Sequence, residues 1–357
     1  MQAQIRRIFT PRIGSDGFVL DVSISVGSGI SALFGPQRAG KSATLEAIAG
    51  LMVPDEGRIE VDGEIWFDAR SRVNLAPHRR SCCFVPAGSG LFPHMTLKEN
   101  LLFSAGCRRM SRLERHRRAA EVLECFALEA EAGRYPGEVS GSARLRAVLA
   151  RAVIARPRLL LLDETARNLD APLRNELYQW LRRIRDFAAA NIILATSSPQ
   201  DCFEVCDQVF LLVAGKVVQA GAPQQVWSHP ATVEAARALG GFNLLEARIV
   251  GLDPVRKTSR LALGPTELTG PYFPGRLLGD RVTLCLRPAE LSARPAAGPA
   301  SPNRITLRLE RVLDLPHAVR LSFEGGIDVE MSHAEYDEHR HHREWAVEFP
   351  TASMRVL

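Results

Sequence analysis

The sequence predicts an α/β fold: a parallel sheet with an antiparallel edge and a helical subdomain, followed by a strand-rich second domain. Three observations carry this. Gly35 to Ser42 reads Gly-Pro-Gln-Arg-Ala-Gly-Lys-Ser, a phosphate-binding loop at every fixed position, set between the apolar run Ile30 to Phe34 and the apolar-rich stretch Ala43 to Leu51. Arg158 to Glu164 is a second apolar run, ending in two carboxylates at the strand edge where α/β sheets place their chemistry. From Asn243 to the C-terminus, alternating apolar and polar residues and glycine turns replace helical periodicity.

In chain order, residues 1 to 34 read as antiparallel strands. Phe18, Leu20, Val22, Ile24 and Val26 alternate with Val19, Asp21, Ser23 and Ser25 before the turn Gly27-Ser28-Gly29. An aromatic here can stack on a purine ring; strand periodicity assigns Phe18 to the core and leaves Phe9 as the candidate. Pro54 to Gly57 is a turn, and Arg58 to Phe67 holds a hairpin about Asp62-Gly63. Residues 91 to 150 shift to helical periodicity and include the arginine run Arg108 to Arg118, with Arg109, Arg112, Arg115 and Arg117. That run reads as a solvated helix face, with a lipid-headgroup or partner-facing surface as the alternative. It carries no interleaved aromatics, which argues against nucleic acid.

The loop defines a chemistry. Its glycines let the backbone close around phosphate, Lys41 reaches the terminal phosphates, and the Ser42 hydroxyl is placed to ligate Mg²⁺. The candidate nucleotide-binding residues are therefore Gly35, Pro36, Gln37, Arg38, Ala39, Gly40, Lys41, Ser42 and Ala43. Asp163 would hold the Mg²⁺, and Glu164 would orient or deprotonate an attacking water.

Composition narrows the class. A chain of 357 residues, 46% hydrophobic and 24% charged, is long enough for two domains and is not of disordered type. The net charge of +5 is a weak pointer to anionic partners, because only four of the 45 basic residues are lysines. The seven cysteines form no C-x-x-C pair, so neither a disulfide framework nor a zinc site is expected. His339, His341 and His342, with His333 nearby, read as solvent-exposed loop or strand histidines rather than a metal site. No window approaches the roughly 18 apolar residues of a membrane span, and the N-terminus lacks the apolar core of a signal peptide. Membrane association is expected only through a partner.

With these residues in view, the stretch from about 18 to 235 resembles the nucleotide-binding domain of ABC transporters, in wording close to the ATPase subunit of molybdate importers. The shared phrases include Ala47-Ile48-Ala49-Gly50-Leu51, Pro77-His78-Arg79-Arg80, Leu91-Phe92-Pro93-His94-Met95-Thr96 and Asn168-Leu169-Asp170-Ala171-Pro172. The last corresponds to the loop that faces a second ATPase subunit in the family. The resemblance implies ATP and Mg²⁺ as cofactors and domains at 1–235 and 243–357, with the helical subdomain at about 91–150. It further implies a second nucleotide-binding subunit, a membrane permease, and a place on the cytoplasmic face of the inner membrane. Its implied cargo is an oxyanion of the molybdate class. The C-terminal part resembles the small β-barrel regulatory domain of such importers, with Ser301-Pro302-Asn303-Arg304 at its start and Gly298 to Pro302 as an internal linker. Where that family places an oxyanion-binding lysine, this chain has Pro350.

Against this family pattern, four motifs depart. The glutamine of the family's Q-loop falls at Ala87. The signature Leu-Ser-Gly-Gly-Gln corresponds to Val139-Ser140-Gly141-Ser142-Ala143, which keeps Ser140 and Gly141 as phosphate-clamp candidates but loses the second glycine and the glutamine. The switch histidine falls at Ser197, and the proline after the catalytic glutamate is Thr165. The pattern implies that binding is kept and turnover weakened. It fits a homodimer with two altered sites, a heterodimer with an intact partner, or a nucleotide-binding subunit with a structural or regulatory role.

Overall fold

The computed structural model describes residues 1–9, 17–88, 90–106, 110–188, 191–296 and 303–357. The linker reading at Gly298 to Pro302, and Arg108 and Arg109 of the arginine run, lie outside the described residues. The chain divides into two units, Met1–His229 and Pro230–Leu357.

The first unit runs β1 (Gln2–Phe9), β2 (Phe18–Ser25), β3 (Ile30–Phe34), α1 (Lys41–Ala49), β4 (Glu56–Val61), β5 (Glu64–Asp68), β6 (Val73–Asn74), β7 (Cys82–Val85), α2 (Leu97–Gly106), α3 (Arg112–Cys125), α4 (Gly141–Val153), β8 (Leu159–Asp163), α5 (Ala171–Ala188), β9 (Asn191–Thr196), α6 (Pro199–Val205), β10 (Gln208–Val213), β11 (Lys216–Gly221) and α7 (Pro223–Ser228). Its strands form one sheet in the order β6-β5-β4-β1-β2-β11-β10-β3-β9-β8-β7. From β10 to β7 the pairings are parallel, and β3 and β8 are buried at every residue, as runs that are apolar but for Ser31 and the terminal Asp163 require of strands covered on both faces. The β1–β2–β4–β5 half is antiparallel, and β2 alternates buried and exposed residues because only one of its faces meets the core. Asp62 and Gly63 close the β4–β5 hairpin with positive φ angles of 49° and 79°, the turn the dipeptide predicts.

This order positions the site. β3, β9 and β8 are neighbours and run in the same direction, so the loop after β3, the Thr196 end of β9 and the Asp163-Glu164 end of β8 open on one edge.

Arg80 pins the helix behind the loop. Its guanidinium, 2% exposed, donates to Ala47 O and Ile48 O in the last turn of α1, to Leu75 O, and to Asn74 Oδ1. A cation there complements the negative end of the helix dipole, and it shares Ala47 O with the Gly50 N–H. Arg80→Met should destabilise the fold by about 3 kcal/mol, because several buried acceptors lose their donor at once; urea unfolding measures it, and a loss under about 1 kcal/mol would mean that water replaces the guanidinium.

In the helical segment, α3 starts on a reciprocal Ser111–Glu114 capping box. Arg117 and Arg118 both pair with Glu121 at exposed or half-buried positions, as a solvated face predicts.

The second unit was expected as a small barrel. Among its described residues the strands pair into two five-stranded sheets over one apolar core that includes Leu284, Phe323, Trp345 and Phe349. The pairing shows an internal duplication with exchanged strands. Two eleven-residue strands, Asn243–Asp253 and Arg304–Asp314, each lead a half. Ser292–Pro295 of the first half pairs with Glu344–Glu348 of the second, and Arg355–Val356 of the second pairs with Arg281–Leu286 of the first. Two asparagine amides tie the halves in the same way. Asn243 bonds Asp328 O and N at 2.8 and 2.7 Å, and Asn303 bonds Thr269 O and N at 2.8 and 2.5 Å. Pro350 precedes a short 3₁₀ turn, Thr351–Ser353.

The histidine stretch departs from expectation in part: His333 and His339 lie on a helix, His333–His339, with a Ser332–Glu335 capping box, whereas His341 and His342 lie in the exposed loop that follows it. His333 Nε2 lies 2.7 Å from Asp314 Oδ1, and the His339 ring sits edge-on to Trp345. Among the described residues no cluster of three His, Cys, Asp or Glu side chains converges as a metal site would require.

Candidate nucleotide site

The loop leaves β3 at Gly35, where a Cβ would stand 2.1 Å from Leu212 O, and enters α1 at Gly40, whose φ is 106° and whose Cβ would meet Leu20 Cδ1 at 2.7 Å. Both positions exclude a side chain on steric grounds, and Gly40 also on backbone conformation. No side chain caps α1, so its first amides point toward the loop with the positive end of the helix dipole. This is an anion cradle built from backbone.

Lys41 is folded back into that cradle. Its Nζ, on a side chain 5% exposed, donates to Gly35 O at 2.9 Å and Pro36 O at 3.0 Å and pairs with Glu164 Oε1 at 3.2 Å. Ser42 Oγ donates to Asp163 Oδ1 at 3.0 Å. The loop, the Mg²⁺ candidates and the catalytic candidate predicted from sequence are thus brought together.

Burial holds the Asp163 carboxyl above the usual carboxylate range; the Ser42 hydrogen bond and the nearby Lys41 charge oppose the shift, while Glu164 adds to it. Ser42 and Asp163 supply the hard oxygen donors that Mg²⁺ takes, and a buried carboxylate beside a second carboxylate fits a divalent cation. A carboxyl with raised pKa takes up its proton at a higher pH than a free one. Mg²⁺-dependent ATP binding should therefore fade early on acidification, while Asp163→Asn should weaken it at neutral pH and flatten the profile. Titrations of ATP with and without Mg²⁺ across pH 5 to 8 measure this, and identical profiles for both chains would refute it.

Glu164 is held in an uncommon conformation, with φ of 47°, fixed by its N–H bond to Ala195 O on β9. Such a backbone persists where the surroundings over-determine it. Its second oxygen, Oε2, accepts from Ser197 Oγ at 3.4 Å. The serine at the switch position is short, yet it reaches the carboxylate directly. Thr165 next to it keeps a buried hydroxyl without a hydrogen-bond partner.

Ala87 is exposed, followed by Gly88 at φ 77°, and its methyl group offers no ligand. Ser140 and Gly141 stand at the start of α4. Ser140 Oγ caps the helix by accepting from Ala143 N, and Gly141 faces Leu173 of α5. Ser142, in place of a glycine, donates to Glu176 Oε1 of α5 at 2.8 Å, and Ala143 is 1% exposed. Phe9 packs beside Phe18 with ring centroids 5.6 Å apart. Phe18, which periodicity assigned to the core, is the ring against the loop, 3.2 Å from where a Gly40 Cβ would be. Sequence reasoning also missed Tyr178, Thr196 and Asp201, which hydrogen-bond behind Ser197; their spacing carries no motif.

Comparison with known proteins places this geometry. Residues 19–167 match the family model described as ABC transporter. A sulfate/thiosulfate import ATP-binding protein, CysA, of Methylococcus capsulatus is 32% identical over 349 residues, covering 95% of this chain and 94% of its own. The chain belongs to the ABC transporter family of import ATP-binding subunits. The CysA protein of Ralstonia nicotianae is 35% identical over 332 residues, covering 91% and 86% of the two chains. An Fe(3+) ions import ATP-binding protein, FbpC, of Pseudomonas fluorescens is 35% identical over 265 residues, covering 70% and 73%. A dimeric ATP-binding cassette solved in a post-hydrolysis state with ADP and Pi shares the fold at a TM-score of 0.52 and 23% identity, covering 62% of this chain and 98% of its own. Among the described residues of this ABC subunit, no helix is long and apolar enough to cross a membrane.

Proposed function

We propose that this ABC subunit binds Mg-ATP at Gly35–Ser42, hydrolyses it slowly, and couples that cycle to import of a tetrahedral oxyanion by a membrane permease. The observation that carries the reading is the convergence of Lys41, Ser42, Asp163 and Glu164 on one sheet edge. The cargo class rests on relatives named for sulfate and thiosulfate import. These names replace molybdate, suggested by wording alone, as the first cargo to test, and the relative named for Fe(3+) import makes ferric iron the competing one.

In the binding step, the loop amides and Lys41 receive the phosphates, and Lys41 exchanges its bonds to Gly35 O and Pro36 O for the β and γ phosphates. Ser42 and Asp163 would hold Mg²⁺, which would supply charge neutralisation at the phosphates. Glu164, released by Lys41, orients water, and Phe9 beside Phe18 offers a surface for adenine. Ser140 and Gly141 would serve the site of a second ATPase subunit. Slow turnover follows from Ala87 and Ser197, which cannot supply the ligand and the imidazole that the family places there. The C-terminal unit is proposed as a regulatory domain of the TOBE or Mop type.

The reading is tested by reconstituting the chain with a sulfate-class importer permease and its binding protein and following uptake of labelled sulfate with ATP inside the vesicles. Sulfate uptake that needs both Lys41 and ATP supports it. ATP binding without any stimulated uptake of sulfate, thiosulfate or molybdate would favour a regulatory nucleotide-binding role, and ferric uptake would transfer the cargo to the iron class.

A further inference from the structure

Behind Ser197 lies a chain of hydrogen bonds that the nucleotide site does not account for. Asp201 of α6 is 1% exposed. Its carboxylate accepts from Tyr178 Oη of α5 at 2.6 Å and from Thr196 Oγ1 at the end of β9 at 2.5 Å. Among the described residues this carboxylate has no ion-pair partner, so two hydroxyls alone satisfy it. A buried carboxylate without a cation is costly to keep, and an apolar pair would fill the same space. The arrangement gives Thr196 a fixed hydroxyl: its proton goes to Asp201, and its oxygen accepts from Ser198 N–H at 3.0 Å. Ser197 is held between these two anchored residues, and its Oγ donates to Glu164 Oε2. Burial and the Asp201 carboxylate raise the Tyr178 hydroxyl pKa, so it stays a donor throughout the working pH range.

We infer that Tyr178, Asp201 and Thr196 form a positioning relay that sets the 196–198 turn so that Ser197 steadies Glu164, a role that rests on the hydrolytic reading above. Each Glu164 oxygen then has one partner, Lys41 on Oε1 and Ser197 on Oε2. When Lys41 turns to the phosphates, Ser197 is the contact that remains. The relay substitutes rigidity of the turn for the longer side chain that the switch position lacks.

The test uses the full chain with Thr196→Val, which keeps shape but removes the hydroxyl, and Thr196→Ser, which keeps the hydroxyl. Amide exchange at Ser198 is read without nucleotide, and single-turnover hydrolysis is read beside the ATP Kd. Thr196→Val should speed Ser198 exchange and lower the hydrolytic rate constant, each by about tenfold, the worth of one hydrogen bond, with Kd within about twofold; Thr196→Ser should restore both. Unchanged Ser198 exchange in Thr196→Val would overturn the relay, and so would a fall in rate matched by an equal rise in Kd, which marks general damage. Should Thr196→Val not fold, Tyr178→Phe removes the other donor to Asp201 and is read in the same way. If the unaltered chain forms no ADP at all, the hydrolytic reading falls, and Ser198 exchange alone decides whether the relay holds the turn.

Discussion

Lys41→Ala should weaken Mg-ATP binding at least about 100-fold. Charge-assisted hydrogen bonds contribute roughly 1.5–3 kcal/mol each, and the ammonium is placed to make two with the β and γ phosphates. The gross gain is reduced because Lys41 must first leave Gly35 O, Pro36 O and Glu164. Two phosphate contacts less these internal ones leave about 3 kcal/mol, roughly a factor of 150. The substitution has a second consequence. Glu164, whose side chain is 11% exposed, loses its cation, so the nucleotide-free chain should also melt earlier. Lys41→Ala together with Glu164→Gln should recover that melting loss without recovering affinity. Isothermal titration and thermal unfolding separate the two effects, and an unchanged Kd would mean that ATP binds elsewhere.

Restoring two side chains should raise hydrolysis by about 100-fold. Removal of one well-placed group that stabilises developing charge costs roughly 10²-fold in rate, and phosphoryl transfer relies on such positioning. Ala87→Gln and Ser197→His each return one group, but groups that act as a unit are not additive, so the pair is expected to gain about what one does, not the product. The structure permits both: Ala87 and Ser197 are exposed, with room for the longer side chains. It argues against restoring the signature in full. Ala143 is 1% exposed inside the first turn of α4, so a glutamine there would overpack it. Ser142 bonds Glu176, which also lies 3.6 Å from Arg146, so Ser142→Gly would loosen the α4–α5 contact while reopening the signature. Turnover of the double variant equal to that of the unaltered chain would show that the departures are tolerated.

The parts of this molecule legible in its sequence are those fixed by local constraint. Gly35 and Gly40 are announced by the loop motif itself, and Leu159–Asp163 and Ile30–Phe34 announce strands covered on both faces because all but Ser31 and the terminal Asp163 are apolar. Juxtaposition by the sheet was less legible. Glu164 reaches both Lys41 and Ser197 only because β9 lies between β3 and β8, an order that no periodicity encodes. The same holds for Asp201, whose two donors come from different elements, and for Arg80, which bonds carbonyls about thirty residues away. In the second unit, Asn243 and Asp328 are 85 positions apart, so the duplication was hidden even though each strand was readable. One local signal went unused: Ser332-His333-Ala334-Glu335 is a capping-box sequence, and it predicts the helix that carries His333 and His339.

The central claim is that this subunit keeps ATP binding while turnover is weakened, and a single-turnover chase tests it most directly. The full chain, in excess over labelled Mg-ATP, is sampled over time for bound ATP and bound ADP. The account predicts tight binding that Lys41→Ala weakens at least about 100-fold, with most of the label still ATP long after the Ala87→Gln, Ser197→His variant has converted its own to ADP. Conversion by the unaltered chain as fast as by the restored one would contradict it.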